Sequence, residues 1–135
     1  MLEGKKVLII EDEQKLLESY KFKIENRDEF TQLKAFFADN VFVAKDIIEK
    51  EKPDLIYLDL SLGESPQPLG LMLLHEYAKK FNIIVISGYS EHMAGCLLEG
   101  AKGFLVKSTP EAEFMKMMEK GEMVLQTQGV LKQKE

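Results

Sequence analysis

Asp54-Leu55-Ile56-Tyr57-Leu58-Asp59-Leu60 is the stretch on which the fold turns. Its apolar residues run consecutively instead of alternating with polar ones, the mark of a strand buried on both faces, as in a parallel sheet covered by helices. Val7 to Ile10 repeats the pattern, short and bounded by charge, and Ile83 to Ser87 (Ile-Ile-Val-Ile-Ser) repeats it with the highest β-branched content. Gly103 to Val106 predicts another strand, and so does Phe30 to Phe37, although Phe30, Leu33, Phe36 and Phe37 keep no clean period.

Helical spacing fills the intervals. From Gln14 to about Asn26, Leu16, Leu17, Tyr20 and Ile24 recur every three or four residues. Asp39 or Asn40 can cap a second helix bearing Val41, Ala44, Ile47 and Ile48, and Pro53 ends it near Lys52. Gly63 to Gly70, with its prolines and glycines, predicts a loop before a third helix from about Leu71 to Lys80. A fourth helix is expected near Glu91 to Glu99. Pro110 suits the first turn of a last one, whose Phe114, Met117 and Met118 form an apolar stripe. Strands alternating with helices imply right-handed crossovers, hence a doubly wound α/β domain with five parallel strands and helices on both faces. Residues 1–125 form that domain, and 126–135 are a C-terminal tail or the start of a linker.

The chain has 135 residues, 45% of them apolar, enough for one core without metal or disulfide staples. A net charge of -5 argues against direct nucleic acid binding. The single cysteine, Cys96, has no partner for a disulfide or a thiolate metal site, which fits a reducing cytoplasm. Val7 to Ile10 is far too short for a signal-peptide core or a membrane span. A cytoplasmic location with no membrane association is expected.

Ligands of an open α/β sheet bind beyond the carboxyl ends of its strands, where the strand order reverses. The residues there are Glu11-Asp12-Glu13, Asp59, Ser87-Gly88 and Lys107. Carboxylates without a basic residue among them repel one another unless a cation intervenes, and hard oxygen ligands suit Mg2+. Asp59 interrupts an apolar stretch where an unpaired charge is costly; beside a metal and the Lys107 ammonium it becomes a nucleophile for phosphorus. Phosphoryl transfer needs little else than charge neutralised on the phosphoryl oxygens, by metal, lysine and a hydroxyl donor. Ser87 supplies the hydroxyl, and Gly88 keeps the approach open.

Each residue alone has a plainer reading. An acidic turn at a helix start can simply answer the helix dipole, a serine commonly ends a strand, and Phe104 can be core. His75 and His92 lie in no cluster suited to a ligand or phosphoacceptor role.

Together, Val7-Leu-Ile-Ile-Glu-Asp-Glu13, Pro53-Asp-Leu-Ile-Tyr-Leu-Asp-Leu60, Ile84-Val-Ile-Ser-Gly88 and Gly100-Ala-Lys-Gly-Phe-Leu-Val-Lys107 resemble response-regulator receiver domains, over residues 5 to about 120. The resemblance implies a flavodoxin-like sheet of strand order 2-1-3-4-5. It implies Asp59 as phosphoacceptor, a Mg2+ site of Glu11, Asp12, Asp59 and the Ser61 backbone carbonyl, and Ser87 and Lys107 as phosphoryl contacts. Ser87 and Phe104 are then the switch pair, remodelling the face of the fourth helix, fifth strand and fifth helix as a population shift. That face can pair two copies. The implied partners are a histidine kinase or histidine phosphotransfer protein, and a downstream protein target or an output domain outside this chain. Segments such as Gly121-Glu-Met123 resemble receivers that precede a helix-turn-helix domain, so the chain reads as standalone or as part of a longer regulator. The chemistry is self-catalysed, not that of a conventional enzyme.

The match departs at three places. Ser108 follows Lys107 where the family often has proline, Glu11 stands where aspartate is more usual, and the Gly63 to Leu69 loop is long and proline-rich. Two other functions compete: a degenerate receiver that binds partners constitutively, and a Mg2+-dependent hydrolase. The hydrolase would usually carry an acid-base aspartate two residues after its nucleophile, a position held here by Ser61.

Overall fold

A computed structural model of the chain describes residues 2–30, 32–60 and 69–134, with side chains described except at 110 and 128–134. The strands are β1 (Lys6–Ile10), β2 (Lys34–Ala38), β3 (Leu55–Asp59), β4 (Ile83–Ser87) and β5 (Gly103–Val106). The helices are α1 (Gln14–Asn26), α2 (Val41–Glu51), α3 (Leu69–Tyr77), α4 (Met93–Glu99) and α5 (Pro110–Lys134). All neighbouring strands pair in parallel, in the order β2-β1-β3-β4-β5. This is the expected doubly wound sheet.

The two-residue period of a strand divides the core. Leu8, Ile10, Ile56, Leu58, Ile83 and Val85 pack on one face, against Ala44 and Ile48 of α2, Leu73 and Leu74 of α3 and Cys96 of α4. Val7, Ile9, Leu55, Tyr57, Ile84 and Ile86 pack on the other, against Leu16, Tyr20 and Ile24 of α1 and Phe114, Met117 and Met118 of α5. Every residue of β3 and β4 is buried, which explains their unbroken apolar runs.

Local signals act as read from the sequence at several ends. Asn40 caps α2, its Oδ1 accepting from the Val43 N–H at 3.0 Å. Lys52, held before Pro53, turns into the left-handed region at φ 49 and donates its N–H to Ile48. Where α5 crosses β3, Gly121 allows the approach: a Cβ there would strike the Tyr57 hydroxyl and lie 2.7 Å from Leu55 Cδ2.

Three expectations need correction. The strand expected over Phe30 to Phe37 begins only at Lys34; Asp28–Phe30 is a 3-10 turn that drives Phe30 edge-on against Phe114, with ring centroids 5.4 Å apart. The third helix runs Leu69–Tyr77 instead of Leu71 to Lys80, so Leu69 and Gly70, expected in the loop, are helical. Gly70 is needed there because a Cβ would run into the Leu60 carbonyl. Helix α4 starts at Met93, Ser90–His92 forming a separate 3-10 turn before it. The rest of the proline-rich loop, residues 61–68, lies outside the described residues. Among the described residues no helix is long and apolar enough to cross a membrane.

Candidate functional site

The chain leaves β1 for β2 on one side and reaches β3 on the other, so the carboxyl ends of β1 and β3 open a crevice where the strand order reverses. Glu11 follows β1 directly, and Asp59 is the last residue of β3. They are 3% and 2% exposed, an unusual depth for carboxylates. Carboxylate oxygens of Glu11, Asp12 and Asp59 all lie within 4.8 Å of one another, with Asp12 half-buried.

Lys107, just past β5, reaches into the same crevice. Its Nζ donates to Asp59 Oδ2 at 3.2 Å and lies 3.6 Å from Glu11 Oε1. Its backbone N–H bonds to the Ser87 carbonyl at 2.8 Å, extending the β4–β5 ladder by one rung. Burial works to lower the pKa of its ammonium, yet the Asp59 and Glu11 charges outweigh that and hold it above the ordinary value. Glu11 goes the other way for a carboxylic acid: burial, then the neighbouring Asp59, lift it far above the usual carboxylate range, against the opposing pull of Lys107 and the Glu13 N–H. One lysine therefore does not neutralise the cluster. Oxygen donors that raise each other's proton affinity form a site fitted to a hard cation.

Ser87 ends β4 and is buried, and its hydroxyl turns toward the loop that follows. It accepts from the Tyr89 N–H at 3.1 Å, lies 3.4 Å from the Tyr89 carbonyl, and shares a 2.9 Å hydrogen bond with His92 Nδ1. A Cβ on Gly88 would meet no atom within 4 Å, so the approach above it is open, and a small side chain would also fit. Phe104 of β5 is half-buried and packs against the core layer shared with α4. The Lys107–Ser108 bond is trans, since none of the described peptide bonds is cis. Ser61, expected to lend a backbone carbonyl, lies outside the described residues.

Two residues near the site escaped the sequence reading. His92, set aside there as unclustered, bonds the Ser87 hydroxyl. Glu113, in the first turn of α5, is 3% exposed, and burial raises its pKa against the opposing pull of Lys107 and the adjacent Tyr20 hydroxyl. A glutamate in a first helical turn carries the signature of a dipole companion, so only packing reveals that it is buried. His75 is a surface residue, its Nδ1 2.8 Å from Glu99.

Known proteins share both sequence and architecture. The family model described as "Response regulator receiver domain" matches residues 7–119. The transcriptional regulatory protein YdfI of Bacillus subtilis (strain 168) is 31% identical over 128 residues, covering 90% of this chain and 58% of its own length. YhcZ of the same organism, named as an uncharacterized transcriptional regulatory protein, is 37% identical over 75 residues, covering 52% of this chain and 34% of its own length. The chain thus spans only part of both relatives. The crystal structure of a CheY-like response regulator receiver domain protein from Methanospirillum hungatei JF-1 superposes with a TM-score of 0.70 at 25% identity, covering 91% of this chain and 98% of that one. With sheet order, crevice and sequence in agreement, the chain belongs to the response regulator receiver domain family of two-component systems.

Proposed function

We propose that Asp59 is the phosphoacceptor of a two-component phosphorelay. The observation that carries this reading is the Asp59 carboxylate, 2% exposed and at the end of a central strand, with the Lys107 ammonium 3.2 Å away and two further carboxylates alongside. Burying that much like charge opposes folding, so its presence at the end of a central strand supports a chemical role for the cluster.

In the transfer, an Asp59 carboxylate oxygen bonds to phosphorus as the bond from phosphorus to the donor's histidine nitrogen breaks, the electron pair leaving with that nitrogen. Lys107 is placed to neutralise a phosphoryl oxygen, and the Ser87 hydroxyl to donate to another once it turns inward. Glu11, Asp12 and Asp59 are the residues that would hold Mg2+, with the Ser61 carbonyl as a further ligand. Bound there, the ion would offset the charge that builds on the phosphoryl oxygens. The chain modifies itself, its own carboxylate being used and later restored, so it is a switch and not a conventional enzyme.

Ser87 moving inward and Phe104 following would shift the population of the α4–β5–α5 face. Met93, Leu97 and Leu98 of α4 and Val106 of β5 are exposed, which supports a protein-binding role for that face. Its partner is a target protein, a second copy, or an output domain such as the transcriptional regulators' remaining length would supply. The donor is a histidine kinase or histidine phosphotransfer protein.

The test is incubation with Mg2+ and acetyl phosphate, followed by intact mass measurement. One phosphoryl group is expected on the native chain and none on Asp59→Asn. A native chain that gains nothing while binding Mg2+ would make it a constitutive interaction module.

A further inference from the structure

Ser87 has one proton to donate and two lone pairs to accept with. Among the described residues all its hydroxyl bonds run to Tyr89 and His92, in the segment linking β4 to α4. The shortest is the 2.9 Å contact with His92 Nδ1. His92 is the last residue of the 3-10 turn Ser90–His92 and directly precedes α4. Its ring is braced against Tyr89, with centroids 5.5 Å apart at 63°, and its backbone N–H bonds to the Tyr89 carbonyl. The imidazole is thus fixed from two sides and joins the end of β4 to the start of α4.

We propose that His92 is a positioning residue that latches the Ser87 hydroxyl in the resting state. This rests on the phosphoacceptor reading of Asp59. To donate to a phosphoryl group on Asp59 the hydroxyl must turn away from Tyr89 and His92 and give up the His92 bond. His92 therefore biases the domain against its switched state, and breaking the bond releases one tie between the end of β4 and the turn that leads into α4. A contact made in only one of two states shifts their ratio by its own net strength. For one hydrogen bond, that is about three- to tenfold.

Four variants isolate the effect (His92→Phe, His92→Asn, Ser87→Ala and the Ser87→Ala/His92→Phe double variant), each titrated with beryllofluoride in saturating Mg2+ as the phosphoryl mimic. His92→Phe keeps a ring against Tyr89 and loses the nitrogen. His92→Asn places an amide atom the same number of bonds from the backbone as Nδ1 and can restore the bond. Since His92 is exposed, neither change disturbs the core. His92→Phe is expected to bind beryllofluoride about three- to tenfold more tightly than the native chain, and His92→Asn within about twofold of it. In a Ser87→Ala background the effect of His92→Phe should vanish, which a merely structural role for the histidine would not produce. Unchanged or weaker binding by His92→Phe, or equal tightening in the Ser87→Ala background, overturns the latch while leaving Asp59 as acceptor. A native chain that does not bind beryllofluoride at all overturns both.

Discussion

Leu58 and Asp59 are neighbours on β3, and both are almost fully buried, yet they belong to opposite regimes. Leu58 sits in the apolar layer under α2, α3 and α4, where removal from water contributes about 25 cal/mol per Å2 and every atom has packing partners. Asp59 faces two other carboxylates and one lysine, so its burial opposes folding. One residue step along a strand carries the chain from the part that holds the fold together to the part the fold supports. The site is held in place by neighbours whose packing offsets it.

Substitutions on either side of that step should therefore act with opposite signs. The largest effect is expected at Leu58→Ala, which should lower unfolding free energy by about 2–5 kcal/mol in urea titrations, since a central strand between two helical layers has little room to collapse. A loss below about 1 kcal/mol would mean that the apolar layer is looser than its burial indicates. Next comes Asp59→Asn, which in metal-free buffer should raise stability by about 1–2 kcal/mol, because it removes a buried charge from the carboxylate cluster, less what its contacts with Lys107 and Glu11 contribute. A destabilised Asp59→Asn would show the Lys107 pair outweighing the repulsion.

The sharpest test is in the pH dependence. The Glu11 pKa is raised in the folded protein above its ordinary 4.5, so over the interval above 4.5 the native state holds a proton that the unfolded chain releases. Stability from this group is therefore fully present below 4.5 and declines as pH rises toward the folded value, by at most about 1.4 kcal/mol per pH unit for one proton. Denaturation midpoints of the metal-free protein at about pH 5 and about pH 7 should show that decline, and Glu11→Gln should flatten it. An equal slope in native and Glu11→Gln chains would separate Glu11 from the pH dependence.

The regime to which a residue belongs also decided how well it could be read from sequence. β4 and β5 have the limits expected, and α1 spans Gln14–Asn26 as predicted, because continuous apolar runs and three-four spacing report directly on burial. β2 was misplaced because it is an edge strand with only Ala38 fully buried, while the aromatic that suggested an earlier start, Phe30, serves the α1–α5 layer instead. Gly70 read as loop because turn chemistry and close packing both call for glycine. Glu11, Asp12, Asp59 and Lys107 were legible because charge at the end of a buried strand is costly and stands out against the apolar run before it, and their convergence follows from the sheet. His92 was not, since its contact with Ser87 depends on the path of the short turn between them, which leaves no periodic trace.

Glu11, Asp59 and Lys107 lie 48 residues apart in succession, on strands β1, β3 and β5 or immediately after them. No two of them can meet through local structure, and the cation among them is delivered by the four-residue strand at the sheet's edge. During synthesis the acidic residues emerge first, and their counter-charge arrives only when β5 docks on β4. Any opening that peels β5 away removes Lys107 and leaves the carboxylates facing one another, so edge fraying and loss of the site are a single event. Amide exchange at Lys107, whose N–H is bonded to the Ser87 carbonyl, therefore reports the fraction of time the site exists at all.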